Sequence, residues 1–265
     1  MMSANFTIPT TMHTRRHFLT SAPAFAALCA ASTASFASDI LASDAELQRQ
    51  MQGKLTAELN DQAVASTETG YLFDAFFSWT PPTVDAGQVN TIVAYSFGNR
   101  AATGGAVPVP GPVNEQIADA VYLLHQTVGA PIYAQQEIAS VLAAKYGLTS
   151  GVNSISPPAG ASSVGVTVPT PEGVAAAIVK QAGTAAALGT IAVITHRDQA
   201  SLAVQVSNAI GMKAAVPAGL SLPAAYDTSA QPPALRRRDL YLLGNLSTRL
   251  GMLRLNLISQ EYPNG

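Results

Sequence analysis

Four short apolar runs decide what this chain can become. They are TIVAYSF at 91–97, PIYA at 131–134, TIAVIT at 190–195 and AAVP at 214–217. Each is close to continuous in apolar residues rather than alternating, so each predicts a strand buried on both faces. Helical periodicity fills the intervals. Ile117, Val121, Leu124 and Val128 mark a helix over 113–128, and Glu137–Tyr146 is a second, stopped by Gly147. Thr170-Pro171-Glu172 starts a third: Thr caps, Pro suits the first turn, and Glu meets the positive dipole end. That helix is expected to reach Leu188, and another is expected over 198–210. A weaker strand is expected within 151–168. Buried strands separated by helices require a mostly parallel sheet covered on both faces, a three-layer, Rossmann-like doubly wound α/β domain over 89–265.

An N-terminal helix is expected to be appended to this domain. Ser43 and Glu46 have capping-box spacing, and Leu47, Met51, Leu55 and Leu59 form one stripe over roughly 44–60. The remainder of 38–88 reads as a loop. It concentrates Tyr71, Phe73, Phe76, Phe77 and Trp79, which we read as a hydrophobic plug under the sheet edge in preference to a cleft wall or a membrane-facing patch. At the other end a helix is expected over Leu235–Leu257, with Leu243, Leu246, Leu250, Leu253 and Leu257 on its buried face. Arg236-Arg237-Arg238 opens it and reads as a solvated run rather than a contact to anionic lipid.

Residues 1–37 read as a cleavable export signal. Arg15-Arg16-His17-Phe18-Leu19 has the twin-arginine arrangement, a mildly apolar stretch follows to Ala31, and Ser35-Phe36-Ala37 offers small residues for signal peptidase. The twin-arginine translocase is therefore the expected partner during export, and the periplasm or exterior the expected destination. Cleavage near Ala37 removes Cys29, the only cysteine, which suits an oxidising compartment. The apolar stretch is too short for a retained membrane span, which needs ~20 apolar residues. Charged residues are scarce, 11% of the chain, and the net charge is −2. That balance argues against a nucleic-acid partner. One cysteine excludes a disulfide framework and a multi-cysteine zinc site, and no metal-ligand spacing is present.

In doubly wound sheets, ligands sit beyond the carboxyl ends of the strands. The loops at 96–100, 134–137, 166–172 and 195–199 are therefore the ones to read. Gly98 permits a tight turn, with Asn99 beside it, and Arg100 can fork onto a phosphate or carboxylate. Glu137 and Glu172 each open a helix, where acids commonly sit for structural reasons. The densest cluster is Thr195-His196-Arg197-Asp198: His196 as a general base, Asp198 or Glu172 as its orienting carboxylate, Arg197 on an anionic group. The structural alternative is that Asp198 caps the following helix and pairs with Arg197. No G-x-G-x-x-G, P-loop or G-x-S-x-G motif is present, so the fold does not imply a standard dinucleotide site and the cofactor is left open.

The order of these pieces resembles the SanA/YdcF/ElyC envelope family. The resemblance runs through IVAYSFGN (92–99), NEQIADAVYLL (114–124), PIYAQQEIASVL (131–142), Thr170-Pro171-Glu172 and AVITHRDQASLAVQVSNAIG (192–211). It implies a YdcF-like fold and an envelope location, and carries over Glu137, Thr170 and Glu172. The family's Ser-Gly-Gly is replaced by Ala134-Gln135-Gln136, its histidine position falls on Gln199 and its arginine on Leu202. Two functions follow as expectations. One is an envelope-maintenance protein binding a small anionic or envelope-derived ligand through Gly98, Asn99, Arg100, Glu137, Thr170 and Arg197. The other is a periplasmic hydrolase or transferase with His196 as base.

Overall fold

The computed structural model describes residues 43–101, 109–156 and 170–262. The residues read as an export signal, together with 102–108 and 157–169, lie outside the described residues. The chain divides into two compact units, Met1–Thr69 and Gly70–Gly265. In the first, α1 (Asp44–Leu59) starts where expected: the Ser43 hydroxyl accepts from the Glu46 N–H. Glu46 does not reach back to complete the box; its carboxylate takes Arg49 and Gln50 instead. Leu47 and Leu55 of the stripe are buried.

A second helix, α2 (Gln62–Phe77), occupies the stretch read as loop. The aromatic residues obscured it, because Phe and Tyr have weak helix propensity and Pro81-Pro82 follow closely. Within the second unit Phe76 is buried under the Arg249 guanidinium, Phe77 lies under that of Arg238, and Trp79 packs on the core. The plug reading describes this end of α2.

The open sheet comprises β1 (Thr83–Val84), β2 (Thr91–Ala94), β5 (Ile132–Gln135), β6 (Val152–Ile155), β7 (Thr190–Ile194) and β8 (Lys213–Pro217), in the order β1-β8-β7-β2-β5-β6. Every pairing is parallel. The strands β3 (Asn99–Arg100) and β4 (Val109–Pro110) form a separate antiparallel ribbon at the end of β2. The edge strand β1 was not legible: two residues give no pattern, and its partner is the last strand of the chain.

Helices α3 (Pro112–Val128) and α4 (Gln136–Tyr146) carry the chain from β2 to β5 and on to β6. Helices α5 (Pro171–Ala182) and α6 (Arg197–Ala209) carry it from β6 to β7 and on to β8. The sheet grows outward from β2 in one direction and then, from β7, in the other. This reversal makes the fold doubly wound. One core joins Val93, Val174, Ile178, Ile191, Val193, Leu202 and Val206. On the other crossover path Ile117, Val121, Ile138 and Leu142 are buried with Ile92 and Ile132. Both faces being covered, the central strands β2 and β7 are buried along nearly their whole length.

Three expectations need correction. Helix α5 ends at Ala182, because Gly183 takes a positive φ of 87°, and a short 3-10 turn at Ala186–Leu188 covers the rest. The long terminal helix is broken into a 3-10 turn (Pro233–Leu235), α7 (Arg238–Gly244) and α8 (Leu246–Glu261). Its leucines do not form a continuous buried face: Tyr241, Leu242 and Arg249 are buried, while Leu250 and Leu257 are exposed. A 3.6-residue pattern read across the break assigned one helical phase to two helices. Among the described residues no helix is long and apolar enough to cross a membrane.

Candidate functional site

The reversal of strand order falls between β2 and β7, so their carboxyl ends diverge into a crevice. A cleft of about 230 Å3 lies there. Ser96, Gly98 and Asn99 line it from the end of β2, Gln135 from the end of β5, Thr170 and Pro171 from the start of α5, and Gln199 from α6. The far wall comes from 231–245, including Leu235, Tyr241 and Asn245.

The turn after β2 is built by one side chain. Asn114 of α3, fully buried, accepts from the Phe97 N–H (2.7 Å) and donates to the Gly98 carbonyl (3.1 Å) and Asn99 Oδ1 (2.8 Å). Gly98 takes φ 73°, where a side chain would be strained and a Cβ would lie 3.1 Å from that of Ala230. Asn99 donates onward to Glu137 Oε1 (2.9 Å), so Glu137 supports the turn from the first turn of α4. Two amides hold Ser96 from opposite sides: Gln135 Oε1 accepts its N–H (2.7 Å), and Gln199 Nε2 donates to its carbonyl (3.5 Å). The remaining amide ends, Gln135 Nε2, Gln199 Oε1 and Asn245 Oδ1, have no partner among the described residues. The Tyr241 hydroxyl is buried without one as well, and burial pushes it up to about 12, the nearby Arg249 charge restraining the rise.

The anticipated ionic residues are engaged elsewhere. Arg100 forks onto Asp227 (2.7 and 3.1 Å) and does not line the cleft. That pairing holds Asp227 below the usual carboxylate range. Arg197 is exposed and reaches Asp198 at 3.5 Å. Glu172 is exposed, without a side-chain partner among the described residues. Thr170 caps α5 by accepting from the Gly173 N–H (3.2 Å), as its sequence context predicts.

His196 has no exposed surface. Its ring stacks on Phe97 (centroids 4.0 Å apart, 14° between planes) and meets Tyr226 edge-on at 4.6 Å. Nδ1 accepts from the Asp198 N–H at 3.2 Å, which makes His196 the N-cap of α6 and places the ring proton on Nε2. No carboxylate orients it. Burial lowers its pKa from 6.5 to about 4, against the pull of the Asp198 charge. It is a neutral structural residue at pH 7, set behind the cleft rather than on its lining.

Asp198 is the hub of a buried ionic knot that the sequence did not disclose. Its carboxylate accepts from Arg238 Nε (2.8 Å) and Nη2 (3.1 Å) and from the Tyr226 hydroxyl (2.8 Å), while Arg249 donates to its backbone carbonyl (2.8 Å). Burial works against the charge, but Arg238 and Tyr226 outweigh it and its pKa is lowered. Arg238 was expected to be solvated and is instead buried, spanning 40 positions to reach Asp198. Sequence spacing carries no trace of such a pairing. Gln135 and Gln199 were more accessible to reasoning, since both stand where the family resemblance puts other residues.

No family model matches the chain, and comparison with curated proteins and with solved structures finds no match. Among the described residues no group of acids, histidines and cysteines is arranged to hold a metal ion.

Proposed function

We propose that this protein is an exported, envelope-associated binding protein whose cleft takes a neutral polar group the size of one sugar ring. The observation that carries the reading is the cleft lining, which is uncharged and sets amides and hydroxyls within a largely apolar surface. Ser96, Gln135, Thr170, Gln199, Gln231 and Asn245 supply both donors and acceptors, and Pro171, Leu202 and Leu235 an apolar side. Amides and hydroxyls that both give and take hydrogen bonds match hydroxyl groups, which do the same. A phosphate or carboxylate would enter with no cation to offset its desolvation. The segments 102–108 and 157–169, wherever they lie, contain no Lys, Arg, His, Asp or Glu and so supply none. The volume, below the ~300 Å3 at which pockets for drug-sized ligands begin, suits a single ring. An envelope saccharide fits that description better than the anionic ligand anticipated from Arg100 and Arg197.

Turnover on His196 lacks support: a base of pKa about 4, its lone pair already bonded, is a poor proton acceptor at neutral pH. Export rests on Arg15-Arg16 and the Ser35-Phe36-Ala37 site, with the twin-arginine translocase as partner. The YdcF-like order of elements over 92–211 supports the envelope assignment.

Thermal shift of the purified chain against neutral monosaccharides, and against phosphate and acetate, tests the ligand class. Neutral sugars should raise the melting temperature, and Gln199→Leu should abolish the shift while leaving the unliganded melt within a few degrees. Stabilisation by the anions alone would overturn the reading. Arg15→Lys with Arg16→Lys should retain the protein in the cytoplasm; undiminished export would remove the localisation.

A further inference from the structure

We propose that two copies of this chain pair through α8, antiparallel, with residues 257 and 258 at the two-fold axis. From residue 254 onward every described side chain of α8 is exposed. That end carries Leu255 at 57%, Leu257 at 55%, Ile258 at 44% and Tyr262 at 64% exposure. Large apolar side chains gathered on one helix end are unusual on a monomer and mark a contact surface. A shallow, nearly flat groove runs along this face, between Leu250 and Tyr262.

The charges on the face select the occupant. Arg254 and Glu261 both line the groove and have no partner among the described residues. They lie seven residues apart, two turns and about 10 Å along one side of the helix. A two-fold axis between 257 and 258 sets Arg254 of each copy against Glu261 of the other. The same register sets Leu257 against Ile258 and Leu253 against Tyr262. In the middle of the seam apolar residues meet apolar ones, with Leu255 facing Gln260 at the flank, and both charges are answered twice. A parallel pair would instead oppose Arg254 to Arg254 and Glu261 to Glu261. Isologous contact of this kind is the commonest symmetry in homo-oligomers.

Sedimentation velocity of the purified chain, from about 1 to 200 μM, reads the association. The contact is small, so a dimer with Kd in the micromolar range is expected. Leu257→Glu should leave a monomer at every concentration, with unchanged circular dichroism. Arg254→Glu should weaken association about tenfold through two lost pairs and two new repulsions. Arg254→Glu combined with Glu261→Arg should restore it. A monomeric wild type overturns the proposal, including one that binds vesicles or closes its own groove. So does a dimer that survives Leu257→Glu, or a charge swap that fails to rescue.

Discussion

The burial of His196 makes a quantitative prediction about acid. The ring is enclosed by Phe97 and Tyr226, and its Nδ1 lone pair holds the Asp198 N–H. Protonation puts a second hydrogen where that N–H already points and leaves a cation without water. The folded pKa is therefore about 4, against 6.5 in an unfolded chain. Because the folded value is the lower one, the unfolded state binds the proton first as pH falls. Stability should be full above pH 6.5, decline between pH 6.5 and about 4, and gain nothing further from this group below that. The span corresponds to about 3 kcal/mol. Urea unfolding at half-unit intervals from pH 7.5 to 4 reads it directly. His196→Asn supplies the comparison, since Asn is a favoured N-cap and does not titrate. The variant loses ring packing and should be less stable at pH 7.5, but its profile through this window should be flatter by about 3 kcal/mol. Identical slopes for the two proteins would refute the buried neutral assignment. They would also reopen His196 as an exposed, titrating base.

Other consequences follow from the same contacts. Asp198→Asn removes the buried carboxylate that Arg238 and Tyr226 share and should cost about 3–5 kcal/mol by denaturant titration at pH 7. Because the folded pKa of Asp198 is lowered, the stability it confers is present above the unfolded value near 4 and lost as pH falls further, so this variant should also show a weaker acid slope below pH 4. Asn114→Leu strands the Phe97 N–H and frees the turn at Gly98, which should cost about 1–3 kcal/mol and broaden the backbone resonances of 97–99. Arg100→Gln takes from the buried Asp227 carboxylate its exposed partner, and should lower the urea midpoint slightly while leaving binding of a neutral sugar unchanged.

The sheet was legible because parallel strands buried on both faces have a sequence signature that survives without context. TIVAYSF and TIAVIT had to be strands, and the glycines after the helices marked where each turned back. Thr170-Pro171 is a local signal and folds as one. The misses share a different cause. Asp198 pairs with Arg238 across a separation of 40 positions, and Arg100 with Asp227 across 127, so no window of sequence reports either. Reading charges as available for ligands took their scarcity as a sign of function. In a low-charge fold the few ionic groups are partners for one another. The cleft was left to amides, whose role is visible only once Gln135 and Gln199 are seen gripping the same Ser96 backbone. Likewise Leu250 and Leu257 fit a buried stripe until the break at Gly244-Asn245 rotates α8 out of phase.

The central claim is that the crevice between β2 and β7 binds a neutral polar ligand through its uncharged lining. Titration of isotope-labelled protein with a neutral monosaccharide, followed by amide NMR, tests it most directly. The account predicts that the side-chain amides of Gln135, Gln199 and Asn245 and the Ser96 backbone shift together along one saturable curve, while Arg100, Arg197 and His196 stay fixed. Shifts centred on Arg100 and Arg197 with phosphate, and silence at the three amides with sugar, would contradict it.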